Sequence, residues 1–140
     1  MPGGTIGKHV RHIYDHFRLL YESYTVAADW IVDYDIRARN NPIETDKLAA
    51  IDSLKRMQTM VKDHNGIPLN TPLVLLAAIS PQDTNKYQFD SSFGRELFYS
   101  CLHAIHHYAS IKAICIELGL NPPNDFGMAP STLQDQMRSR

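Results

Sequence analysis

The sequence predicts an all-α fold made of three long helices, with an extended crossover before the last helix. Apolar residues recur at spacings of three, four and seven in three separate blocks, which is the pattern of helices that bury one face. Residues that favour helix ends border these blocks. Because 140 residues is the size of one domain, we expect residues 1–140 to form a single helical domain.

The first block covers residues 6–32 and carries one apolar stripe. The stripe consists of Ile6, Val10, Ile13, Phe17, Leu20, Tyr24 and Ile31. Residues at these spacings lie on one side of a helix. We therefore expect one long helix whose stripe faces the core.

The second block covers residues 41–64 and opens with a helix-start signal. Asn41 can cap the helix, Pro42 suits its first turn, and Glu44 can reach back as in a capping box. The expected core face consists of Leu48, Ile51, Leu54 and Val61. Asn65-Gly66 is expected to end the helix.

The third block begins after Asp90-Ser91-Ser92, a run of possible caps, and continues to Leu118. Gly119 suits a left-handed C-terminal cap, and Pro122-Pro123 prevents continuation. Residues 71–88 between the last two helices suggest an extended crossover in which one short strand could form. The polar tail after Gly127 is expected to drape over the helices.

Composition excludes several classes of protein. The chain has 14 Lys and Arg against 15 Asp and Glu, so it lacks the basic excess that drives nucleic-acid binding. No long apolar run or signal-peptide pattern is visible, so we expect no membrane partner and a cytoplasmic location. Cys101 and Cys115 are too far apart on one helix to bridge each other, so free thiols are expected.

Six of the seven histidines lie in two short segments, which suggests a metal site. His103 and His107 are four residues apart, so they project from one side of the third helix and can share an ion, whereas His106 points elsewhere. The first helix offers three candidates, and periodicity alone does not choose among them. They are His9, His12 and His16.

Three hypotheses follow from these residues: a metal-dependent enzyme, a non-catalytic metal-binding or helical dimerisation module, and a homodimer whose histidines only pack or face solvent. A single histidine on a helix is more often a hydrogen-bonded or surface residue than a ligand. Neither cluster contains the HExxH glutamate of zincin proteases, and no GxSxG pattern supports a serine nucleophile.

Two segments are similar to the metal-binding helices of the DinB/YfiT-like metalloenzyme family. TIGKHVRHIYDHF resembles the segment around the first ligand, which follows a small hydroxyl residue by seven positions; counting from Thr5 gives His12. SSFGRELFYSCLHAIHHYASI resembles the last bundle helix, whose HxxxH matches His103 and His107. The DFGMAPSTL and VDYDIRAR segments are similar to one uncharacterised branch of that family.

The resemblance implies an antiparallel four-helix bundle, here with three long helices evident, that holds one divalent ion on three histidines. It implies zinc or nickel on His12, His103 and His107, activating a thiol or water for transfer to, or hydrolysis of, a small molecule. Characterised relatives include S-transferases that use low-molecular-weight thiols. His9, His16 and Glu96 become candidates for the surroundings of the ion, and the pocket mouth would include Asp33, Asp35 and Arg37.

Only MPGG precedes Thr5, where that family usually has another helix. The stripe on the first helix would then need a second covering surface, and a two-fold dimer is the commonest way to supply one. We therefore expect a homodimer that buries Ile6, Val10, Ile13, Phe17 and Tyr24. The alternative is a monomer in which the 71–79 segment and the tail cover the stripe.

Overall fold

The computed structural model of the chain describes residues 4–36, 38 and 40–140. Four α-helices, three strands and one short 3₁₀ helix form in these residues. In chain order they are α1 (Ile6–Thr25), β1 (Ile31–Asp33), the 3₁₀ helix (Pro42–Glu44), α2 (Lys47–Asp63), β2 (Pro72–Ala77), β3 (Tyr87–Ser92), α3 (Phe93–Glu117) and α4 (Pro130–Arg138).

The three strands form one mixed sheet, so the prediction of an all-α fold is wrong. The strand order is β1-β2-β3. β1 runs parallel to β2, with Ile31 opposite Val74, and β3 runs antiparallel to β2, with Phe89 opposite Leu75. One short strand was expected in the crossover and two formed. β3 was missed because it lies at the sheet edge with its first four residues exposed, so it needs no apolar face.

The first predicted helix is split into a helix and a strand. α1 ends at Thr25 instead of residue 32, and the backbone then passes through left-handed conformations at Ala28 (φ 53°) and Trp30 (φ 55°). The carbonyl of Trp30 accepts a 2.9 Å hydrogen bond from the backbone N–H of Val74, which aligns the following residues with β2. Val32 is thus buried as a strand residue, not as part of a helical stripe.

The second predicted helix is also divided. The side chain of Asn41 accepts a hydrogen bond from the N–H of Ile43, as a cap should, but it caps the 3₁₀ helix. α2 begins after Asp46, whose carboxylate accepts from the N–H groups of Leu48 and Ala49. Leu48 is 76% exposed, so the expected core face is absent in the first turn of α2.

The third predicted helix is largely confirmed. The hydroxyl of Ser92 accepts a hydrogen bond from the N–H of Arg95 and caps α3. Gly119 has a φ of 74° just beyond the helix, as the sequence predicts. The tail contains α4, which was not predicted and has no buried residue. Both cysteines are free, as expected.

α1 is the central element of the core and packs against both other long helices. It runs antiparallel to α3, since His9 lies beside His107 while His16 lies beside His103. It runs parallel to α2, which corrects the expected antiparallel bundle. The core cluster consists of Ile13, Phe17, Leu20, Tyr21, Val32, Leu73, Phe93, Ala104 and Ile111.

α2 runs parallel to α1 because of the path that the chain takes between them. The chain leaves α1, forms β1 at the far end, and returns to the start of α1, where the 3₁₀ helix touches Gly7. The Nε of Arg11 lies 2.7 Å from a carboxylate oxygen of Glu44 at the same place. α2 therefore starts beside the N-terminus of α1, and its last turn brings His64 against Tyr21.

The apolar stripe that motivated the homodimer is partly covered within the chain. Ile13 and Phe17 are buried, and Leu73 of β2 belongs to the same cluster. Tyr24 stays 40% exposed. β2 covers part of the stripe, as the monomer alternative expects. The homodimer stays a prediction, and its interface would need side chains other than the buried ones of this stripe.

None of the helices in the described ranges combines the length and apolar content that a membrane span requires.

Gly7→Ala should destabilise the protein, because an added Cβ would lie 2.0 Å from the carbonyl oxygen of Glu44. That backbone atom cannot move without displacing the 3₁₀ helix, and such overpacking costs about 1–3 kcal/mol, more than the roughly 1 kcal/mol that alanine gains in a helix. Urea unfolding measures the change. Gly66→Ala is the control, since a Cβ there meets nothing within 4 Å. Equal stability of the two variants would contradict the close packing.

Candidate metal centre

Three histidine side chains converge between α1 and α3. His12 comes from α1, and His103 and His107 come from successive turns of α3. One ring nitrogen of each lies within 4.8 Å of the other two. The Nε2 atoms of His103 and His107 are 3.1 Å apart. The two helices thus bring together the three residues that the resemblance implies as ligands.

These positions fit a transition-metal ion. Two nitrogen atoms bound to one zinc ion at 2.0–2.1 Å lie about 3 Å apart, which agrees with the 3.1 Å between His103 and His107. Nδ1 of His103 is buried and has no hydrogen-bond partner within the described residues. Nδ1 is not the nitrogen that faces His107, so the fit to an ion rests on the positions of the Nε2 atoms.

His9 can fix the tautomer of His107. The Nδ1 atoms of the two rings are 2.7 Å apart, and His9 is buried. When Nδ1–H of His107 donates to His9, the lone pair of His107 lies on Nε2, the atom that faces His103. Metal-bound histidines are usually held in this way through the second ring nitrogen.

His16, the other candidate on α1, is placed differently. Its Nδ1–H donates to the carbonyl of His12 at 3.0 Å. Its ring stacks on His103, with centroids 3.9 Å apart, and on Tyr34 at 4.8 Å. A ring stacked on a ligand cannot aim its in-plane lone pair at the same ion, so His16 supports His103 by packing.

Glu96 is buried but does not contact the histidines by a hydrogen bond. Its two carboxylate oxygens accept from the hydroxyls of Tyr34 at 3.0 Å and Ser91 at 2.7 Å. Glu96 therefore does not hold a ligand histidine directly: it positions Tyr34, which in turn stacks on His16.

His16, His103 and His107 are held neutral at pH 7. Burial, followed by the neighbouring imidazoles, lowers the pKa of His103 to about 3 and that of His107 to about 4. Burial also lowers the pKa of His16 to about 4, against the opposing effect of its bond to His12. Neutral imidazoles keep the lone pairs that metal binding requires.

A cavity of about 220 Å³ opens beside the cluster. It is lined by Arg11, His12, Asp15, His16, Tyr34, Asp35, Ile36, Tyr99 and His103. The charges on its wall have partners: Asp15 pairs with Arg18 at 3.3 Å, Arg11 pairs with Glu44, and Asp35 lies 3.6 Å from Lys86. The cavity therefore suits a small ligand that needs no additional countercharge.

The predicted pocket mouth is found only in part. Asp35 lines the cavity, whereas Asp33 forms an ion pair with Lys86. Arg37 lies outside the described residues. Tyr34 and Tyr99 are wall residues that the sequence reading missed. Tyr34 follows a strand that was not predicted, so no helical spacing could place it.

Most of this chain is similar to part of a known protein. The chain is 53% identical over 123 residues to FK506-binding protein 5 of Rhizopus delemar, a match that covers 86% of this chain and 32% of the relative. The chain thus spans about a third of the length of the curated relative it matches. No protein-family model matches the chain, and no solved structure matches it.

This relative contradicts the family resemblance drawn from the histidine segments. The chain is similar over 86% of its length to a protein named for FK506 binding, and no DinB/YfiT-like family model matches. The function taken from that resemblance, thiol transfer or hydrolysis by a DinB-like metalloenzyme, is withdrawn with it. Paired histidines one helical turn apart arise in unrelated proteins, so the shared spacing was insufficient evidence of descent.

The metal-free protein should lose stability as the pH falls from about 7.5 to about 5.5. Unfolded imidazoles have a pKa of 6.5, whereas folding lowers the pKa of His16, His103 and His107. Protons therefore bind the unfolded state first, and stability present above pH 6.5 is lost toward the folded pKa values. Urea unfolding in a chelator measures the effect.

His103→Gln should reduce this pH dependence, while the exposed His106→Gln should not. A transition midpoint that stays constant over that interval would contradict the lowered pKa values.

Proposed function

We propose that this chain is a metal-binding domain in which His12, His103 and His107 hold one divalent ion. The observation that carries the proposal is the convergence of three ring nitrogens from two helices within 4.8 Å. Zinc and nickel are the favoured ions, because neutral imidazole is a common ligand for both. His9 supports the site through His107, and His16 supports it through His103.

An ion with three protein ligands keeps a coordination position for water or a small molecule. The adjoining cavity of about 220 Å³ supports a small-molecule ligand for that position. Tyr34 and Tyr99 offer ring faces to it. The thiol suggested by the earlier resemblance is not carried forward, since its basis is contradicted.

The relative suggests the setting of such a domain. The matched part is about a third of FK506-binding protein 5, and the metal site is proposed only for that part. The FK506 binding in the name of the relative refers to the whole of that protein. A homodimer, a cytoplasmic location and the lack of a nucleic-acid partner also stay proposals. An interface between copies could use exposed apolar residues of α3 such as Phe98 and Ile116.

Protein purified without a histidine tag should bind one zinc or nickel ion per chain, and His103→Ala should abolish stoichiometric binding. His106→Ala is the matched control, because His106 is exposed on the same turn of α3. Metal analysis after dialysis and competition with a chromophoric chelator measure both. Circular dichroism establishes that each variant is folded.

His12→Gln extends the test to α1, where it should also remove stoichiometric binding. Equal metal loss in the His103 and His106 variants, or full retention in both, would overturn the site.

FK506 binding by this chain is a second candidate, favoured by the 53% identity to a protein of that name. The most apolar place for it is a cavity of about 260 Å³ that shares Tyr34, Asp35 and Tyr99 with the metal cavity and adds Leu75, Leu76 and Ala77. Its volume is slightly below the usual range of about 300–1,000 Å³ for drug-sized ligands. The two adjoining cavities would both have to be used.

On this second candidate, calorimetry should detect one FK506 molecule bound per chain at micromolar concentration. Leu76→Glu should weaken binding by placing a charge in the apolar cavity, whereas Leu48→Glu on the exposed start of α2 should not. If no saturable binding is detected, FK506 is not a ligand of this chain, and the metal-site proposal is unaffected.

A further inference from the structure

A second concave site lies at the opposite end of α1 from its N-terminus. Its walls are the side chains of Tyr24, Trp30, Asp63 and His64, which we name the aromatic corner. The cavity measures about 220 Å³, and its remaining lining consists of Gly66, Ile67, Pro68 and Thr71. The metal proposal uses none of these residues. Tyr24 follows His12 by twelve residues, about 18 Å along the helix.

The rings of the aromatic corner form two walls at nearly a right angle. Tyr24 and Trp30 lie 4.8 Å apart between centroids and are tilted by 32°, so they form one wall. Tyr24 and His64 are 5.9 Å apart with an interplanar angle of 83°, so His64 forms the other. Nδ1–H of His64 donates to the carbonyl of Met60 at 2.8 Å, which holds the ring in place.

The backbone keeps Trp30 in an unfavourable conformation. A φ of 55° is rare for a bulky residue and costs of order 1–3 kcal/mol unless the surroundings enforce it. Here the N–H of Trp30 donates to the carbonyl of Ser23 at 3.3 Å, and its carbonyl accepts from Val74 at 2.9 Å. These bonds fix the indole beside Tyr24, although the ring stays only half-buried.

The aromatic corner also contains a free negative charge. Asp63 is exposed and forms no ion pair within the described part of the chain. Aromatic faces attract cations through the ring quadrupole, and tryptophan does so most strongly. A carboxylate at the rim adds attraction for the same sign of charge.

We propose that the aromatic corner binds a trimethylammonium group, as a free quaternary amine or as a trimethylated lysine side chain. This class of ligand carries a diffuse positive charge on an apolar surface, so it matches both the ring faces and the apolar Ile67 and Pro68. The described residues bring no third histidine, cysteine or carboxylate beside Asp63 and His64, so the aromatic corner is a poor site for a metal ion.

Trp30 provides the test, since it is the single tryptophan of the chain. Choline should change its fluorescence emission saturably at millimolar concentration. The uncharged isostere 3,3-dimethylbutan-1-ol has the same shape, and its binding should be at least about tenfold weaker, because the cation–π attraction is lost. Equal responses to the two compounds would overturn the proposal and identify an ordinary apolar cavity.

Two variants of the aromatic corner and one control variant test which side chains bind choline. Asp63→Asn should weaken choline binding several-fold, while Asp52→Asn, another exposed aspartate on α2, should not. Tyr24→Leu should weaken it as well while leaving Trp30 as the reporter. Equal affinity in the Asp63 and Asp52 variants would show that the carboxylate takes no part and would overturn the cation site.

A short peptide containing trimethyllysine, compared with the same peptide containing leucine, distinguishes the two sources of the ligand. Tighter binding of the trimethyllysine peptide than of choline identifies a protein side chain, and tighter binding of choline identifies a small molecule. Absence of saturable binding of both would overturn the proposal.

Discussion

Five imidazole rings lie between α1 and α3, and the packing of these helices depends on satisfying their nitrogen atoms. His9 bonds to His107, and His16 bonds to the backbone of its own helix and stacks on His103. Buried polar groups are costly unless they are hydrogen-bonded. The antiparallel register brings the two histidine segments together. A shift of one turn would break the bond between His9 and His107 and separate the stacked rings of His16 and His103.

On the other side of α1, close backbone packing determines where the 3₁₀ helix and α2 lie. Gly7 lets the 3₁₀ helix approach the first turn of α1, and the return of the chain to this place makes α2 parallel to α1. β1 and β2 then cover the core with Val32 and Leu73. The small sheet thus supplies apolar contacts that a further helix would supply in a bundle, which is why Phe17 is buried without a second subunit.

Local signals predicted local features and failed where partners are distant in sequence. The caps at Ser92 and Gly119 and the facing of His103 and His107 follow from neighbours within one or two helical turns. β1 has three residues and exists because of its parallel partner β2, forty residues away, so no periodicity could reveal it. The link from Glu96 to Tyr34 was hidden for the same reason. Helical spacing also could not select His12 over His9 or His16, since all three reach α3.

The histidine cluster is difficult to explain as core packing alone. Apolar side chains of similar size would fill the space between α1 and α3 without a desolvation penalty, whereas partial burial lowers the pKa values of His103 and His107. Sequences that conflict with the local rules of stability usually do so at functional sites. The left-handed backbone at Trp30 is a second conflict of this kind, at the other end of α1. Because the histidine cluster lies beside the N-terminal half of α1, the aromatic corner lies at its C-terminus, and the two share no side chain, the domain can hold two sites that act independently.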